Sequence, residues 1–137
     1  MCSSDLSLPD LFDPGGTVDS SSMKGKVWLV NVWGTWCPEC WREHDFLIYL
    51  AKQEKVPIVG IDWRDDDAEA KQFLLEKGNP FIAVGADHES NAIMDLGVYG
   101  APETFLIDKQ GVIRKKHKGA MTLQVWRDEF KPLMEKL

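Results

Sequence analysis

The sequence predicts an α/β fold, a central mixed β-sheet with helices on both faces. Three observations carry this. Val27–Trp33 is nearly all apolar, the composition of a strand covered on both faces, with Asn31 the exception. Strand-like and helix-like stretches then alternate, as parallel β-α-β units do. Late in the chain Asp108-Lys109-Gln110-Gly111 joins Thr104–Ile107 directly to Val112–Lys118, which makes that pair an antiparallel hairpin. The predicted order is β-α-β-α-β-(α)-β-β-α.

Residues 1–26 are polar and rich in turn formers (Pro9, Pro14-Gly15-Gly16, Ser20-Ser21-Ser22). Leu8, Leu11, Phe12 and Val18 are spaced for a short hairpin on the edge of the core, so 1–26 reads as an N-terminal appendage and 27–137 as the main domain. After the first strand, a helix is expected from about Pro38 to Lys55. Cys40, Glu43, Leu47, Leu50 and Ala51 fall on one face of it. Glu43 therefore shares the core-facing stripe with Cys40, which singles it out for a functional role. His44 points off the stripe and reads as a surface or supporting histidine.

Pro57 opens a strand, Ile58–Asp62. A helix over Asp67–Lys77 follows, capped by Asp66, with Glu69 three residues on and Gly78 closing it. Asn79-Pro80 turns the chain into a weak strand, Phe81–Val84. Asp87-His88-Glu89-Ser90 reads as a loop in preference to a metal site, and a short helix over Asn91–Leu96 follows. Pro102 opens the next strand after a Gly-rich turn and is a candidate cis peptide. The last helix is expected over Leu123–Lys136, capped by Thr122, with Trp126, Phe130, Leu133 and Leu137 on one face.

The 137 residues suit one domain with a real core. Hydrophobic residues make up 44% and charged residues 28%, ordinary values for a soluble globular protein. With 16 Lys+Arg against 22 Asp+Glu, the net charge of −6 argues against nucleic acid as a partner and leaves room for basic ones. No run is long and apolar enough for a membrane span, and no signal peptide is visible. Cys2, in the polar start, reads as a remnant of processing.

The chemistry lies in Trp36-Cys37-Pro38-Glu39-Cys40. Two cysteines separated by two residues at the start of a helix can close a small disulfide loop. The free N–H groups and positive end of the helix stabilise a thiolate on the first. Cys37 is then the nucleophile of thiol–disulfide exchange, and Cys40, one turn deeper, resolves the mixed disulfide. Pro38 suits the first helical turn, where its missing N–H costs nothing. A zinc site would need further ligands in pairs, and Cys2 is the only other cysteine. No metal or cofactor is called for.

These residues resemble the thioredoxin superfamily, over roughly residues 8–137. Trp36-Cys37-Pro38-Glu39-Cys40 is similar to its active-site motif and Gly100-Ala101-Pro102 to its cis-proline loop. The resemblance implies a thioredoxin-like fold in which Trp36, Pro38, Ala101 and Pro102 contact an extended substrate peptide. There Ala101 would supply backbone hydrogen bonds and Pro102 would hold the shape. Within the superfamily the chain most resembles the cytochrome c maturation thioredoxins, the CcmG/DsbE family. The matching segments are Asn31-Val32-Trp33, Glu43-His44, Gly78-Asn79-Pro80 and Gly97 through Asp108. General thioredoxins carry Gly-Pro between the cysteines and a buried Asp where this chain has Asn31; both departures point toward the maturation family.

That resemblance implies a reductase on the periplasmic side of the inner membrane, anchored by an N-terminal segment missing from this chain. It would keep apocytochrome c, or a partner thiol protein, reduced for haem attachment. A transmembrane thiol reductant of the DsbD/CcdA type would re-reduce it. Asn31 cannot titrate, so proton transfer to and from Cys40 is expected to pass to Glu43 and Glu103, which should also oppose thiolate formation. An oxidase on the same fold and a non-catalytic apocytochrome-binding module stand as alternatives. A peroxidase would need a Thr/Ser-rich helix start that is absent. Trp36, Trp41 and Trp63 are candidates for a docking surface, with ordinary packing equally open for Trp41 and Trp63.

Overall fold

The computed structural model describes residues 6–137; Cys2 lies outside the described residues. Two short strands, β1 (Ser7–Pro9) and β2 (Thr17–Asp19), form an antiparallel hairpin. The main sheet follows: β3 (Trp28–Trp33), β4 (Ile58–Trp63), β5 (Ala83–Asp87), β6 (Glu103–Ile107) and β7 (Ile113–Lys118). Its spatial order is β5-β4-β3-β6-β7, with β3, β4 and β5 parallel and β6 and β7 antiparallel to their neighbours. Helices α1 (Pro38–Lys52), α2 (Asp67–Lys77) and α3 (Asn91–Leu96) make the connections. The expected mixed sheet with helices on both faces is what forms.

Two apolar clusters flank the sheet. Leu29 and Trp33 of β3 face Cys40, Leu47 and Leu50 of α1, Ala70, Phe73 and Leu74 of α2, and Trp126 and Phe130. Trp28, Val30 and Val32 face the other way, onto Ile93 and Leu96 of α3 and onto Leu6 and Leu8. Side chains alternate along a strand, so Asn31 belongs to the α1 face. All six residues of β3 are buried, as a central strand of this composition must be.

The N-terminal hairpin is bound to the edge of the sheet. Asp10 bridges Gly85, and Leu11 N–H donates to Val84 O at 2.9 Å. Gly85 permits this, because a Cβ there would stand 2.9 Å from Leu8 Cβ. Leu8 and Leu11 are buried, whereas Phe12 is 47% exposed and does not join the core expected of it. At the opposite edge β7 carries Arg114, Lys115, Lys116 and Lys118, charges that discourage further strand pairing.

Other boundaries move for identifiable reasons. The weak strand expected at Phe81–Val84 begins at Ala83 and runs to Asp87. Phe81 is instead a buried plug stacked 5.6 Å from Trp33, with its N–H bonded to Asn79 Oδ1. The Asp87 carboxylate accepts Asn91 N–H and Ile93 N–H, so this acid holds the start of α3. The C-terminal helix is α-helical over Leu123–Val125, widens into a π turn over Trp126–Phe130, and returns to α over Lys131–Lys136. Pro132 has no N–H to return to the preceding turn, and Lys131 N–H reaches back to Trp126 O.

Candidate active site

β3 delivers the chain to a tight turn, Gly34 to Cys37, closed by Cys37 N–H donating to Gly34 O at 3.2 Å. Gly34 is required by space, because a Cβ would collide with the Trp36 indole. Cys37 has extended backbone angles and occupies the N-cap of α1, with Pro38 in the first turn. Its Sγ accepts Cys40 N–H at 3.2 Å, using one of the N–H groups that a helix start leaves free. Cys37 and Cys40 are joined as a disulfide with Cα atoms 5.3 Å apart. Cys37 is 2% exposed and Cys40 5%, so depth does not set them apart as their order on the helix suggests. What distinguishes Cys37 is its cap position.

Ala101–Pro102 is a cis peptide. Ala101 packs against the cluster that holds both cysteines, and Pro102 O accepts Gly119 N–H at 2.9 Å, pinning the loop to the end of β7.

Glu43 is buried, one turn of α1 beyond Cys40. Its Oε2 accepts Asn31 Nδ2–H at 2.9 Å and its Oε1 accepts Met121 N–H at 2.8 Å. Asn31 also donates to Thr104 Oγ1 at 3.2 Å. Burial pushes the Glu43 carboxyl up to about 7, against the pull of the bonds from Met121 and Asn31.

Glu103 is also buried but on the other face, because its ladder partner is Val32 of the α3-side cluster. Its Oε2 accepts Tyr99 N–H at 3.3 Å, and its Oε1 lies 3.3 Å from Lys116 Nζ without hydrogen-bond alignment. Lys116 in turn donates to Gly97 O at 3.0 Å. The sheet therefore separates the two carboxyl groups, and only Glu43 shares a face with Cys40.

His44 departs from the surface placement that its position on the helix suggests. It is buried, its Nε2 sits 2.8 Å from Gly78 O, and its ring stands edge-on to Phe73 at 4.9 Å. A bond to a carbonyl requires the proton on Nε2. Burial lowers the ring's pKa, so His44 is neutral. α2 and the turn after it cover this flank of α1, which a single-helix projection does not show.

The tryptophans frame the entrance. Trp36 is 48% exposed and its Nε1–H donates to Trp63 O at 2.7 Å; Trp41 is 51% exposed and donates to Thr35 O at 2.8 Å. Trp63 is partly buried, T-shaped to Trp36 at 5.6 Å, and bonded to Ser90 Oγ. Trp36 and Trp41, with Thr35, Asp65 and Phe73, line a groove of about 750 Å³ beside the cysteine turn.

Sequence reasoning misses Thr35, Asp62 and Asp65. Thr35 N–H and Oγ–H donate to Asp65 Oδ2 and Oδ1 at 2.8 and 2.6 Å, tying the turn before Cys37 to the β4–α2 connection. In the sequence the acidic run looks only like a helix start, a role that Asp66 alone fills by accepting Glu69 N–H. A charged residue closing the apolar run Ile58–Ile61 is the available signal for Asp62.

The sequence matches the Redoxin family over residues 4–131. It is 48% identical over 130 residues to the thiol:disulfide interchange protein DsbE of Pseudomonas aeruginosa, covering 95% of this chain and 72% of that protein. Against DsbE of Escherichia coli strain K12 the identity is 45% over 130 residues, covering 94% and 70%. A secreted thiol-disulfide isomerase from Corynebacterium glutamicum superposes with a TM-score of 0.85 at 24% identity, over 97% of this chain and 85% of that one, a likeness of fold.

Proposed function

The chain belongs to the Redoxin family, among the DsbE thiol:disulfide interchange proteins, and we propose that it works as a reductant, keeping the cysteines of apocytochrome c or of a partner thiol carrier reduced for haem attachment. It is a thiol–disulfide oxidoreductase whose working groups are Cys37 and Cys40. The Cys37 thiolate attacks a substrate disulfide and one substrate sulfur leaves as a thiolate. Cys40 then attacks Cys37 Sγ, releasing the second substrate thiolate and closing the Cys37–Cys40 disulfide. A transmembrane thiol donor on the periplasmic side, where an anchor holds the protein, returns the two electrons. Trp36, Pro38, Ala101 and Pro102 form the peptide-binding rim.

The observation that carries the direction is the buried Glu43, one turn of α1 beyond Cys40, with its oxygens held by Asn31 and Met121. Above about pH 7 it adds a buried negative charge on the cysteine side of the sheet, which disfavours a thiolate and so favours the disulfide. A strong oxidant does the reverse and stabilises its reduced form. Glu43, one helical turn from Cys40 on α1, is the group proposed to exchange a proton with it. Glu103, offset by Lys116, is the weaker of the two. The opposite direction has one observation behind it, the bond from Cys40 N–H to Cys37 Sγ.

The reduction potential, read by thiol alkylation and mass after equilibration with glutathione or dithiothreitol, decides between them. A value near thioredoxin's, about −270 mV, with reduction of an oxidised CxxCH peptide, supports the reductant; a value near the oxidant DsbA's, about −120 mV, overturns it.

A further inference from the structure

A second acid lies below the cysteine turn, unused by the exchange chemistry. Asp62, near the end of β4, is 2% exposed, and among the described residues neither of its carboxyl oxygens accepts a hydrogen bond. Its ladder neighbours are Trp33 on β3 and Ala86 on β5. Trp33 Nε1 is turned over Gly60 and is itself unpaired among the described residues. As a carboxylate, Asp62 would be charged, dry and without a donor, one of the costliest states for a side chain.

The polar side chain that bears most on Asp62 is that of Asp65, three residues on, and as a carboxylate Asp65 can only accept. Its oxygens already take Thr35 N–H, Thr35 Oγ–H and Asp66 N–H, the last at 3.0 Å. Three donors select the ionised form of that carboxyl. An acid without donors beside a carboxylate rich in them satisfies both only if the first is protonated and donates to the second.

We propose that Asp62 and Asp65 share one proton, with the Asp62 O–H donating to the Asp65 carboxylate, and that this pair is a positioning device that holds the Gly34–Trp36 turn and through it Cys37. From Asp65 the connection to the cysteine is direct: both Thr35 donors bind its carboxylate, and Gly34, the residue before Thr35, accepts Cys37 N–H through its carbonyl. Trp36 and Trp41 fasten the same turn from the outside. The titrations agree in direction. Burial, then Asp65 and Asp67, push Asp62 up to about 9. Burial works to raise Asp65, but the bonds from Asp62, Thr35 and Asp66 outweigh it and hold Asp65 low.

The groups that bear on the pair are Asp65 and Arg64 of the connection, Asp67 at the start of α2, and Cys37, Cys40, Glu43 and His44 on the same side of the sheet from α1. Trp33 and Ala86 bring no charge. Above the Asp62 titration the shared proton is lost, two carboxylates face each other, and the turn is released. This inference rests on thiol–disulfide exchange at Cys37 but not on its direction, so a potential that overturned the reductant reading would leave it standing.

Two measurements on the full chain test it. Carboxyl ¹³C shifts of aspartate-labelled protein are followed against pH in the wild type and in Asp62→Asn. One aspartate should keep its protonated shift through neutral pH and titrate only near 9, and it should vanish in the variant. If every aspartate titrates below about pH 5, as ordinary ones do, the proposal is overturned. Iodoacetamide alkylation of reduced Cys37 is then followed against pH. Asp62→Asn keeps an N–H donor for Asp65, so its rate should track the wild type at neutral pH and diverge only on the alkaline side. Asp62→Leu removes the donor, and its rate at neutral pH should change severalfold, up to about tenfold, as misplaced reacting groups do. Identical pH profiles for the wild type and Asp62→Asn overturn the positioning role even if Asp62→Leu fails to fold.

Discussion

Asn31 Nδ2 donates to Glu43 Oε2 across 2.9 Å, joining the central strand to the helix that carries Cys40. An amide thus takes the strand position beneath the cysteines, and the carboxyl comes from the helix instead. Glu43 remains buried because Asn31 and Met121 N–H occupy its two oxygens. The buried acid of this site is therefore local to Cys40, one helical turn away.

In the proposed function Cys37, at the N-cap of α1, is the attacking sulfur. Cys40→Ser should accumulate a mixed disulfide between Cys37 and an oxidised CxxCH peptide, seen as one peptide mass added to the protein without reductant. Cys37→Ser should accumulate none. Equal trapping by both variants would mean that the cap bond does not select the nucleophile.

Glu43 makes stability depend on pH. Its folded pKa, about 7, lies above the ordinary 4.5, so the folded state holds this proton more tightly than the unfolded chain does. The resulting stabilisation is complete below about pH 4.5 and is lost as pH rises to 7, at about 1.4 kcal/mol per pH unit and about 3 kcal/mol in all. Asp62 adds a loss of the same sign that continues to higher pH. Glu43→Gln should therefore reduce the fall in denaturation midpoint between pH 5 and 7.5 without abolishing it. An unchanged fall would show that Glu43 ionises normally in the folded protein.

The two carboxyl groups should act unequally on the thiol. Glu43→Gln should lower the Cys37 pKa by about one unit, the scale of a nearby charge. Glu103→Gln should move it less, because Glu103 lies on the opposite face with Lys116 Nζ 3.3 Å away. The pH dependence of Cys37 alkylation reads both. Equal changes, or none, would remove Glu43 from the tuning of the pair.

His44 should matter for stability and not for exchange. It is neutral, bonded to Gly78 O and packed on Phe73. His44→Ala should cost about 2 kcal/mol in denaturant unfolding, from lost packing and an unpaired carbonyl. The rate of peptide reduction at pH 7 should stay within about twofold of wild type, because no step is routed through the ring. A large rate loss with intact stability would make His44 a proton carrier.

Much of this was legible in the chain because the relevant forces are local. The apolar run of β3, the Asp66 cap and Gly78 end of α2, the Asp108 turn and the Cys37–Cys40 spacing each depend on a few neighbouring residues. Helical periodicity sufficed to place Glu43 on the cysteine face. It failed for His44, whose burial depends on Phe73 and Gly78 arriving from α2. It failed for Phe81 too, which looks like strand but fills the space over Gly60 and Trp33.

The amino-acid order by itself determined the fold class and the pair of cysteines at a helix start, because strand, cap and helix propensities act within one segment. Only the tertiary structure decided which acids lie on the cysteine side of the sheet. Glu103 follows Pro102 closely in sequence, yet the pleat of β6 turns it to the far face. Asp62 and Asp65 lie far along the chain from Cys37, yet the β4–α2 connection brings Asp65 against Thr35. Sheet register and strand alternation set those placements, and both come from pairing between distant segments.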